Sequence, residues 1–221
     1  MITVHHLNNS RSQRVLWLLE ELGLPYEVKR YERNTRTMLA PPELRAVHPL
    51  GKSPVITDGE NTVAESGAIL EYLAERHGQG RLVPPAGSPE QLRYRYWLHY
   101  AEGSLMPLLV MKLVFGRIPV SVPRLIRPIA RGIARGVQQK FLDPNIALHL
   151  DFVETELGQS PWFAGEAFSV ADIQMSFPLE AAAARAGGED RPRIRAYLQA
   201  LHARPAYQRA LERGGPYELM R

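Results

Sequence analysis

Cysteine is missing from all 221 residues of the chain. This absence excludes disulfide bonds, thiolate metal sites and a catalytic cysteine belonging to the protein itself. Any thiol chemistry on this chain therefore needs a sulfur atom from a bound molecule. The first six residues also lack the basic and apolar regions of a secretory signal, so we expect a cytoplasmic protein.

The sequence also lacks a strong charge of either sign and a long apolar run. Its 27 lysines and arginines and 23 acidic residues give a net charge of +4, which favours anionic ligands but is too small to predict a nucleic-acid partner. No run reaches the roughly 18 uncharged apolar residues of a membrane-spanning helix, so we predict no integral membrane association. With 45% hydrophobic residues, the chain has the composition of a folded globular protein.

Short strand and helix patterns alternate over residues 1–80. Ile2 and Val4 alternate as in a strand, and the apolar positions from Val15 to Leu22 recur on one helix face. A second strand, a loop or short helix, a tight hairpin around Asp58-Gly59 and a final helix follow. The pattern predicts an α/β domain with the order βαβαββα.

Glycine and proline are frequent in residues 81–89, which we interpret as a linker. Residues 90–221 contain no convincing strand pattern and predict an all-α domain. Helices are expected over residues 91–114, with a kink at Pro107, and over residues 124–141, 146–157, 170–184 and 194–211.

Two motifs resemble signatures of the cytosolic glutathione S-transferase family, one in each predicted domain. The first is PLGKSPVI from Pro49 followed by ESGAILEYL from Glu65, and the second is WFAGEAFSVAD from Trp162. The opening SRSQRVLWLLEELG from Ser10 is most similar to a serine-type bacterial or fungal branch. The resemblance covers almost the whole chain and implies a thioredoxin-like N-terminal domain, an all-α C-terminal domain and a homodimer.

The resemblance also implies a chemistry. The family activates the thiol of glutathione, its co-substrate, for attack on a small-molecule electrophile, a peroxide or a disulfide. A chain without cysteine does not fit the glutaredoxin-like branch, whose mixed-disulfide step needs a protein thiol. Asn9-Ser10-Arg11 replaces the serine-serine-cysteine pattern of the maleylacetoacetate isomerase branch and disfavours it. A non-catalytic ligand-binding module on the same fold is the alternative function.

The first motif carries the residues that the resemblance assigns to glutathione binding. Ser66 begins a helix, where unpaired amides and the helix dipole favour the γ-glutamyl carboxylate, and Glu65 can accept from the α-ammonium group. The backbone of Ser53, before a Pro54 that is cis in the family, pairs with the cysteinyl backbone. Lys52 can reach the glycyl carboxylate. The same residues also suit plain structural roles: a helix cap, a trans proline and a solvated lysine.

The sulfur partner is expected directly after the first strand. Ser10 is our first choice, because a hydroxyl donor at a helix start stabilises a thiolate, and a shift of about two pKa units takes roughly 2.7 kcal/mol. Asn9, with its side-chain amide, is the alternative, and Arg11, Ser12 and a backbone amide stay open as further candidates. Ser10 can also serve only as a helix cap.

The first predicted helix of the C-terminal domain, over residues 91–114, offers candidates for a second-substrate pocket. These are Tyr96, Tyr100 and Met106, with Leu105 and Leu109, although apolar residues on a helix suit a core equally well. No metal site is predicted, because the pair His5-His6 lacks a third ligand at a suitable spacing.

Seven basic residues and no acidic residue lie between Glu102 and Asp143. Apolar side chains recur four residues apart in this segment, and arginines recur on another face. Such a helix can lie on an anionic membrane, but we expect its apolar side to pack on the core. The apolar positions are Leu125, Ile129, Ile133 and Val137, and the basic positions are Arg124, Arg127, Arg131 and Arg135.

Overall fold

The computed structural model describes residues 1–37, 39–215 and 217. The N-terminal part has the predicted order of strands and helices, with a short helix in the loop before the hairpin. Its elements are β1 (Ile2–Leu7), α1 (Ser12–Leu22), β2 (Tyr26–Tyr31), α2 (Glu43–Val47), β3 (Val55–Asp58), β4 (Asn61–Ala64) and α3 (Ser66–His77).

The four strands form one mixed sheet in the order β2-β1-β3-β4. Because α1 crosses over between them, β1 and β2 run parallel, whereas β3 pairs antiparallel with both β1 and β4. The predicted hairpin turn is confirmed: Asp58 pairs with Asn61, and Gly59 between them has a φ of +60°. The Ser53-Pro54 peptide bond, which leads into β3, is cis, as the resemblance implies.

The C-terminal part is helical in the described residues, as predicted. Two of its helical runs are longer than expected, because π-helical turns join neighbouring helices. The elements are α4 (Pro89–Tyr100), α5 (Met106–Ser121), α6 (Arg127–Val137), α7 (Asp143–Glu156), α8 (Val170–Arg185), α9 (Pro192–His202) and α10 (Pro205–Gly214); the π turns are Ala101–Leu105 and Gln138–Leu142.

Proline explains both π turns and one wrong helix prediction. Pro107 and Pro144 each follow a π turn by two residues, and a proline has no N–H for the carbonyl four residues earlier, so the wider turn absorbs the mismatch. The predicted kink at Pro107 is therefore a π turn inside a continuous helix. The helix predicted over residues 194–211 is wrong as a single element, since it breaks between His202 and Pro205.

By length and composition alone, the continuous helix Pro89–Ser121 is apolar enough to cross a membrane, with a mean hydropathy of 1.4 in its most apolar window. In this structure it contributes Trp97, Leu105 and Leu109 to the hydrophobic core. The helix packs against α8 and, through α5, against α6.

The expectation that the apolar side of the basic segment packs on the core is wrong for most of that side. Leu125, Ile129 and Ile133 are 94%, 67% and 61% exposed. The small face of α6, formed by Ala130 and Ala134, is buried instead and allows a close approach to α5. The bulky face is therefore turned outward and left without a partner in the described residues of the single chain.

The second motif is a buried structural element, with a capping box formed by Ser169 and Asp172 at the start of α8. The carboxylate of Asp172 accepts hydrogen bonds from the backbone N–H groups of Phe163 and Ser169 at 2.9 and 2.8 Å and from the Tyr197 hydroxyl at 2.9 Å. Burial raises the pKa of Asp172 to about 6, although these donors oppose the rise. The carboxylate thus fixes the loop before α8 to α9.

Candidate functional site

Two adjoining clefts lie where the β1–α1 turn meets the loop before β3. The smaller cleft has a volume of about 340 Å³, and the larger has about 630 Å³. Both volumes suit a small organic ligand. The side chains of the smaller cleft that matter below are Arg11, Lys52, Ser53, Glu65, Ser66 and Glu102.

All five predicted glutathione-binding residues line the smaller cleft: Lys52, Ser53, Pro54, Glu65 and Ser66. The sheet and α3 bring them together, because β3 begins directly after Pro54 and α3 begins directly after Glu65. Glu65 has a φ of +73°, a left-handed conformation that costs a residue with a side chain about 1–3 kcal/mol and is typical of ligand-binding positions.

Ser66 is held by an arginine that the sequence analysis missed. A terminal N–H of Arg14 donates to the Ser66 hydroxyl oxygen at 2.9 Å, and another donates to the backbone carbonyl of Gln174 at 2.7 Å. Because Ser66 accepts this bond, its own O–H can donate to a ligand. Arg14 is buried and places a positive charge behind the start of α3, which strengthens the site for a carboxylate.

Glu102 was also missed, and it connects two parts of the cleft. Its Oε1 accepts from Arg14 at 2.6 Å, and its two carboxylate oxygens accept from Nε of Arg11 at 3.0 and 3.1 Å. Burial favours the protonated form of Glu102, but the two guanidinium groups outweigh burial and hold its pKa below the usual value. The group is therefore a carboxylate at neutral pH.

A chain of hydrogen bonds runs inward from Ser10. The Oγ atoms of Ser10 and Ser12 are 2.7 Å apart, and Ser12 Oγ lies 2.9 Å from Nδ1 of His6. Burial lowers the pKa of His6 to about 4, with the charge of Arg30 contributing, so the ring is neutral at pH 7. Ser10 itself is only 4% exposed.

Comparisons with known proteins decide the family. The model of the glutathione S-transferase N-terminal domain matches residues 1–75, and that of the C-terminal domain matches residues 139–200. Glutathione S-transferase 3 of Schizosaccharomyces pombe is 38% identical, over 96% of this chain and 88% of that protein. The chain belongs to the glutathione S-transferase family.

Other members of the glutathione S-transferase family agree in sequence and in fold. Glutathione S-transferase 1 of Saccharomyces cerevisiae is 34% identical, over 96% of this chain and 95% of its own. A glutathione S-transferase structure from Actinobacillus pleuropneumoniae is 33% identical with a TM-score of 0.82, covering 99% of this chain and 95% of the other. A family member from Pseudomonas fluorescens, solved with two glutathione bound, is 27% identical with a TM-score of 0.74, covering 96% and 92%. The thioredoxin-like N-terminal domain and helical C-terminal domain predicted for a glutathione S-transferase are thereby confirmed.

The candidates for the sulfur partner differ in their access to the clefts. Arg11 lines both clefts, whereas Ser10, Asn9 and Ser12 line neither. Asn9 has a φ of +50°, and asparagine tolerates this left-handed turn better than most residues, which gives it a structural role before α1. In this glutathione S-transferase the residue nearest the open site is thus the arginine after the serine.

The residues predicted for the second-substrate pocket lie elsewhere. Tyr96 and Tyr100 stack with ring centroids 5.6 Å apart, and the Tyr100 hydroxyl lies 2.6 Å from Nδ1 of His149. Met106 is buried in the core. None of the three lines either cleft. Their role in binding a second substrate stays a prediction.

The larger cleft is strongly cationic. Four cations, Arg11, Arg33, Arg45 and Lys52, line it together with one carboxylate, Glu32. It shares Arg11 and Lys52 with the smaller cleft. A surface of this charge attracts anionic molecules, and glutathione, the co-substrate of the family, is anionic.

Among the described residues, no group of three histidine, aspartate or glutamate side chains is placed to hold a metal ion. The two histidines of β1 are engaged otherwise: Nδ1 of His5 lies 3.0 Å from the Tyr31 hydroxyl, and His6 contacts Ser12. Glutathione, as co-substrate, is the small molecule that the family membership implies.

Proposed function

We propose that this glutathione transferase binds glutathione in the smaller cleft and activates its thiol for attack on a small-molecule electrophile. One observation carries the proposal. The same cleft is lined by Ser66 at the start of α3, by Ser53 before β3 and by Lys52. Each of these residues suits one part of the tripeptide. The two ends of the cleft suit the two carboxylates of glutathione.

The γ-glutamyl end of glutathione is assigned to the start of α3. Its carboxylate accepts from the hydroxyl and backbone N–H of Ser66, with the charge of Arg14 directly behind. Its ammonium group donates to Glu65. The support for this orientation is electrostatic, because α3 presents a positive end to the carboxylate while Glu65 supplies the matching negative charge.

The cysteinyl and glycyl parts are assigned to the loop before β3. The backbone N–H and C=O of Ser53 pair with the cysteinyl backbone in the manner of an added strand. The Ser53 hydroxyl does not compete, since it donates to the carbonyl of His5 at 3.1 Å. Lys52 lines both clefts and is the cation for the glycyl carboxylate.

The reaction is nucleophilic substitution or addition by sulfur. The thiol loses its proton to solvent, the thiolate electron pair forms a carbon–sulfur bond, and any leaving group departs with its own electron pair. A free thiol with a pKa of about 8.5 is only a few per cent thiolate at pH 7, so stabilising the anion raises the rate directly.

Isothermal titration with glutathione and turnover of an activated aryl chloride test this function. We expect saturable binding and glutathione-dependent product formation. The absence of any binding by folded protein refutes the site. Binding without turnover of aryl chloride, peroxide or disulfide identifies the chain as a ligand-binding module instead.

Reduction of anionic disulfides or peroxides is the second candidate activity. The observation that favours it is the cationic larger cleft, which adjoins the glutathione site and suits an acidic second substrate. Comparing turnover of glutathione-containing disulfides with that of uncharged disulfides tests it. Equal rates for both substrates would argue against a role for the cationic lining.

We also propose a cytoplasmic homodimer. The support for dimerisation is a set of exposed apolar side chains in and just before the α6–α7 run, since exposed apolar surface marks interaction sites. Leu125, Ile129, Ile133 and Leu148 are each more than half exposed. The cytosol holds the pool of reduced glutathione that the reaction consumes. Light scattering is expected to give about twice the 24.9 kDa of the chain. A monomeric mass, or sedimentation with anionic liposomes, would assign the face differently.

A further inference from the structure

We infer that Arg11, held in place by Glu102, is the residue that contacts and stabilises the glutathione thiolate in this chain. The inference rests on the proposed function and assigns the sulfur partner within the same site. The sequence favours Ser10, one residue earlier, so the two assignments can be tested against each other.

Arg11 has donors to spare on the cleft side. Its Nε–H is shared between both oxygens of Glu102, at 3.0 and 3.1 Å. Its two terminal NH₂ groups make no hydrogen bond within residues 1–37, 39–215 and 217, although a guanidinium offers five N–H donors. The side chain is 32% exposed and lines both clefts, so these donors are within reach of a ligand.

Two contacts fix the plane of the Arg11 guanidinium. Glu102 holds one edge, and the ring of Phe177 lies under the group, with Cζ of Arg11 5.1 Å from the ring centroid. Such a cation–π contact orients a guanidinium without using its donors. The free N–H groups are therefore positioned before a ligand arrives, which is the property that a charge-stabilising group requires.

The hydroxyl of Ser10 is committed to the protein interior. The neutral ring of His6 carries one hydrogen, and with that hydrogen on Nε2 its Nδ1 is an acceptor for Ser12. Ser12 donates to that nitrogen at 2.9 Å, in preference to the Leu7 carbonyl at 3.5 Å.

The single hydroxyl hydrogen of Ser12 is used in this way, so Ser10 must donate to Ser12 across their 2.7 Å contact. In that arrangement the Ser10 hydrogen points to Ser12 and not to the cleft-lining Ser53, whose Oγ lies farther away, at 3.4 Å, and itself donates to the His5 carbonyl. Turning it toward a sulfur atom would leave the buried Ser10–Ser12 contact without its hydrogen bond.

The placement of Glu102 depends on the π turn Ala101–Leu105, which rotates this residue relative to the preceding helix. Such turns are common at functional sites. Glu102 also contacts Arg14, which bonds Ser66, so one carboxylate links the γ-glutamyl end of the cleft to Arg11. Arg11, Arg14 and Glu102 together carry a net charge of about +1.

The remaining charged groups around Arg11 do not cancel this charge. Lys52 and Arg33 are cationic, and Glu65 and Glu32 are acidic. Burial lowers the pKa of Arg33, and the nearby positive charge of Arg11 lowers it further. His48 also lines the smaller cleft. A thiolate beside Arg11 is therefore in a cationic environment, where an opposite charge within about 4–6 Å lowers a pKa by roughly one to three units.

The test compares Arg11→Gln with Ser10→Ala. The pKa of the bound glutathione thiol is read from ultraviolet thiolate absorbance and from the pH profile of kcat/KM with an activated aryl chloride. We expect Arg11→Gln to raise the pKa of the bound thiol by about one unit or more, while glutathione binding is retained. At pH values below that pKa, kcat/KM should fall about tenfold. Ser10→Ala is expected to shift this pKa far less, and Arg11→Lys to restore most of the wild-type profile.

Arg131→Gln is the matched control, since it removes one arginine charge from an exposed position on α6. A rise of a unit or more in Ser10→Ala, with an unchanged profile in Arg11→Gln, overturns the inference. If circular dichroism shows that Arg11→Gln is unfolded, Arg11→Met, which keeps an unbranched apolar side chain at this position, is measured in its place. Loss of glutathione binding by the wild-type protein would instead refute the proposed function itself.

Discussion

Ser66→Ala is the substitution that examines the glutathione site most directly. The hydroxyl accepts from Arg14 at 2.9 Å on its buried side and is assigned to donate to the γ-glutamyl carboxylate on its open side. Alanine removes both bonds and leaves the backbone N–H of α3 in place. One change therefore affects ligand affinity and protein stability through separate bonds.

The two effects have different magnitudes. A hydrogen bond to a charged group contributes about 1.5–3 kcal/mol, so we expect glutathione binding to weaken by roughly 10- to 150-fold. The buried N–H of Arg14 loses its acceptor, which costs about 1–3 kcal/mol of folding stability. For a chain of this size, that loss corresponds to a fall in Tm of roughly 2–12 °C.

Isothermal titration measures the first effect and differential scanning calorimetry the second. Ser121→Ala, an exposed serine whose hydroxyl bonds the Arg117 carbonyl at 3.0 Å, is the matched control and is expected to change neither. If Ser66→Ala lowers Tm but leaves the glutathione Kd within a factor of about two, well under the tenfold that 1.4 kcal/mol represents, the reasoning about the open side of Ser66 is refuted.

Three further predictions concern stability and assembly. His6 has a pKa of about 4 in the folded chain and 6.5 in the unfolded chain, so the unfolded state binds more protons between these pH values. Acidification from pH 7 to 5 should therefore lower the free energy of unfolding by about 2 kcal/mol. In urea titrations, His6→Gln should flatten this pH dependence, whereas the control His99→Gln should not. Asp172→Ala leaves four buried donors without their acceptor and should destabilise the protein by about 3–5 kcal/mol in denaturant titration, whereas the exposed Asp151→Ala should cost far less. The pair Ile129→Asp and Ile133→Asp should turn a dimer into a monomer in light scattering, while Arg131→Gln should not; an unchanged mass would remove this face from the interface.

The arrangement of strands and helices could be predicted because hydrophobic periodicity reports it directly. The alternation of apolar residues predicted the first strand, β1, and the turn at Gly59 predicted the hairpin of β3 and β4. The direction of the apolar face of α6 could not be predicted in the same way. Periodicity shows that Leu125, Ile129 and Ile133 share one face, but it does not show whether core, solvent or another molecule covers that face.

The glutathione-binding residues could be predicted because short local motifs carry the resemblance to the family. Ser53-Pro54 and Glu65-Ser66 each lie at the beginning of an element, and the structure brings both pairs to one cleft. The pair Arg14–Glu102 could not be found this way, because 88 residues separate its members. A signal did exist: Arg14 precedes Leu18 by one helical turn on a buried stripe, and a buried arginine requires a partner.

The same residues explain why a serine motif alone does not settle the chemistry of this chain. A hydroxyl can stabilise a thiolate only if its hydrogen is free to turn toward the sulfur, and at Ser10 that freedom depends on His6, four residues earlier in β1. Burial keeps His6 neutral, so its Nδ1 can accept from Ser12, and with this bond made the contact between Ser12 and Ser10 directs the Ser10 hydrogen inward. The adjacent arginine then becomes the group with donors on the open side, and the π turn before Pro107 supplies the carboxylate that holds it.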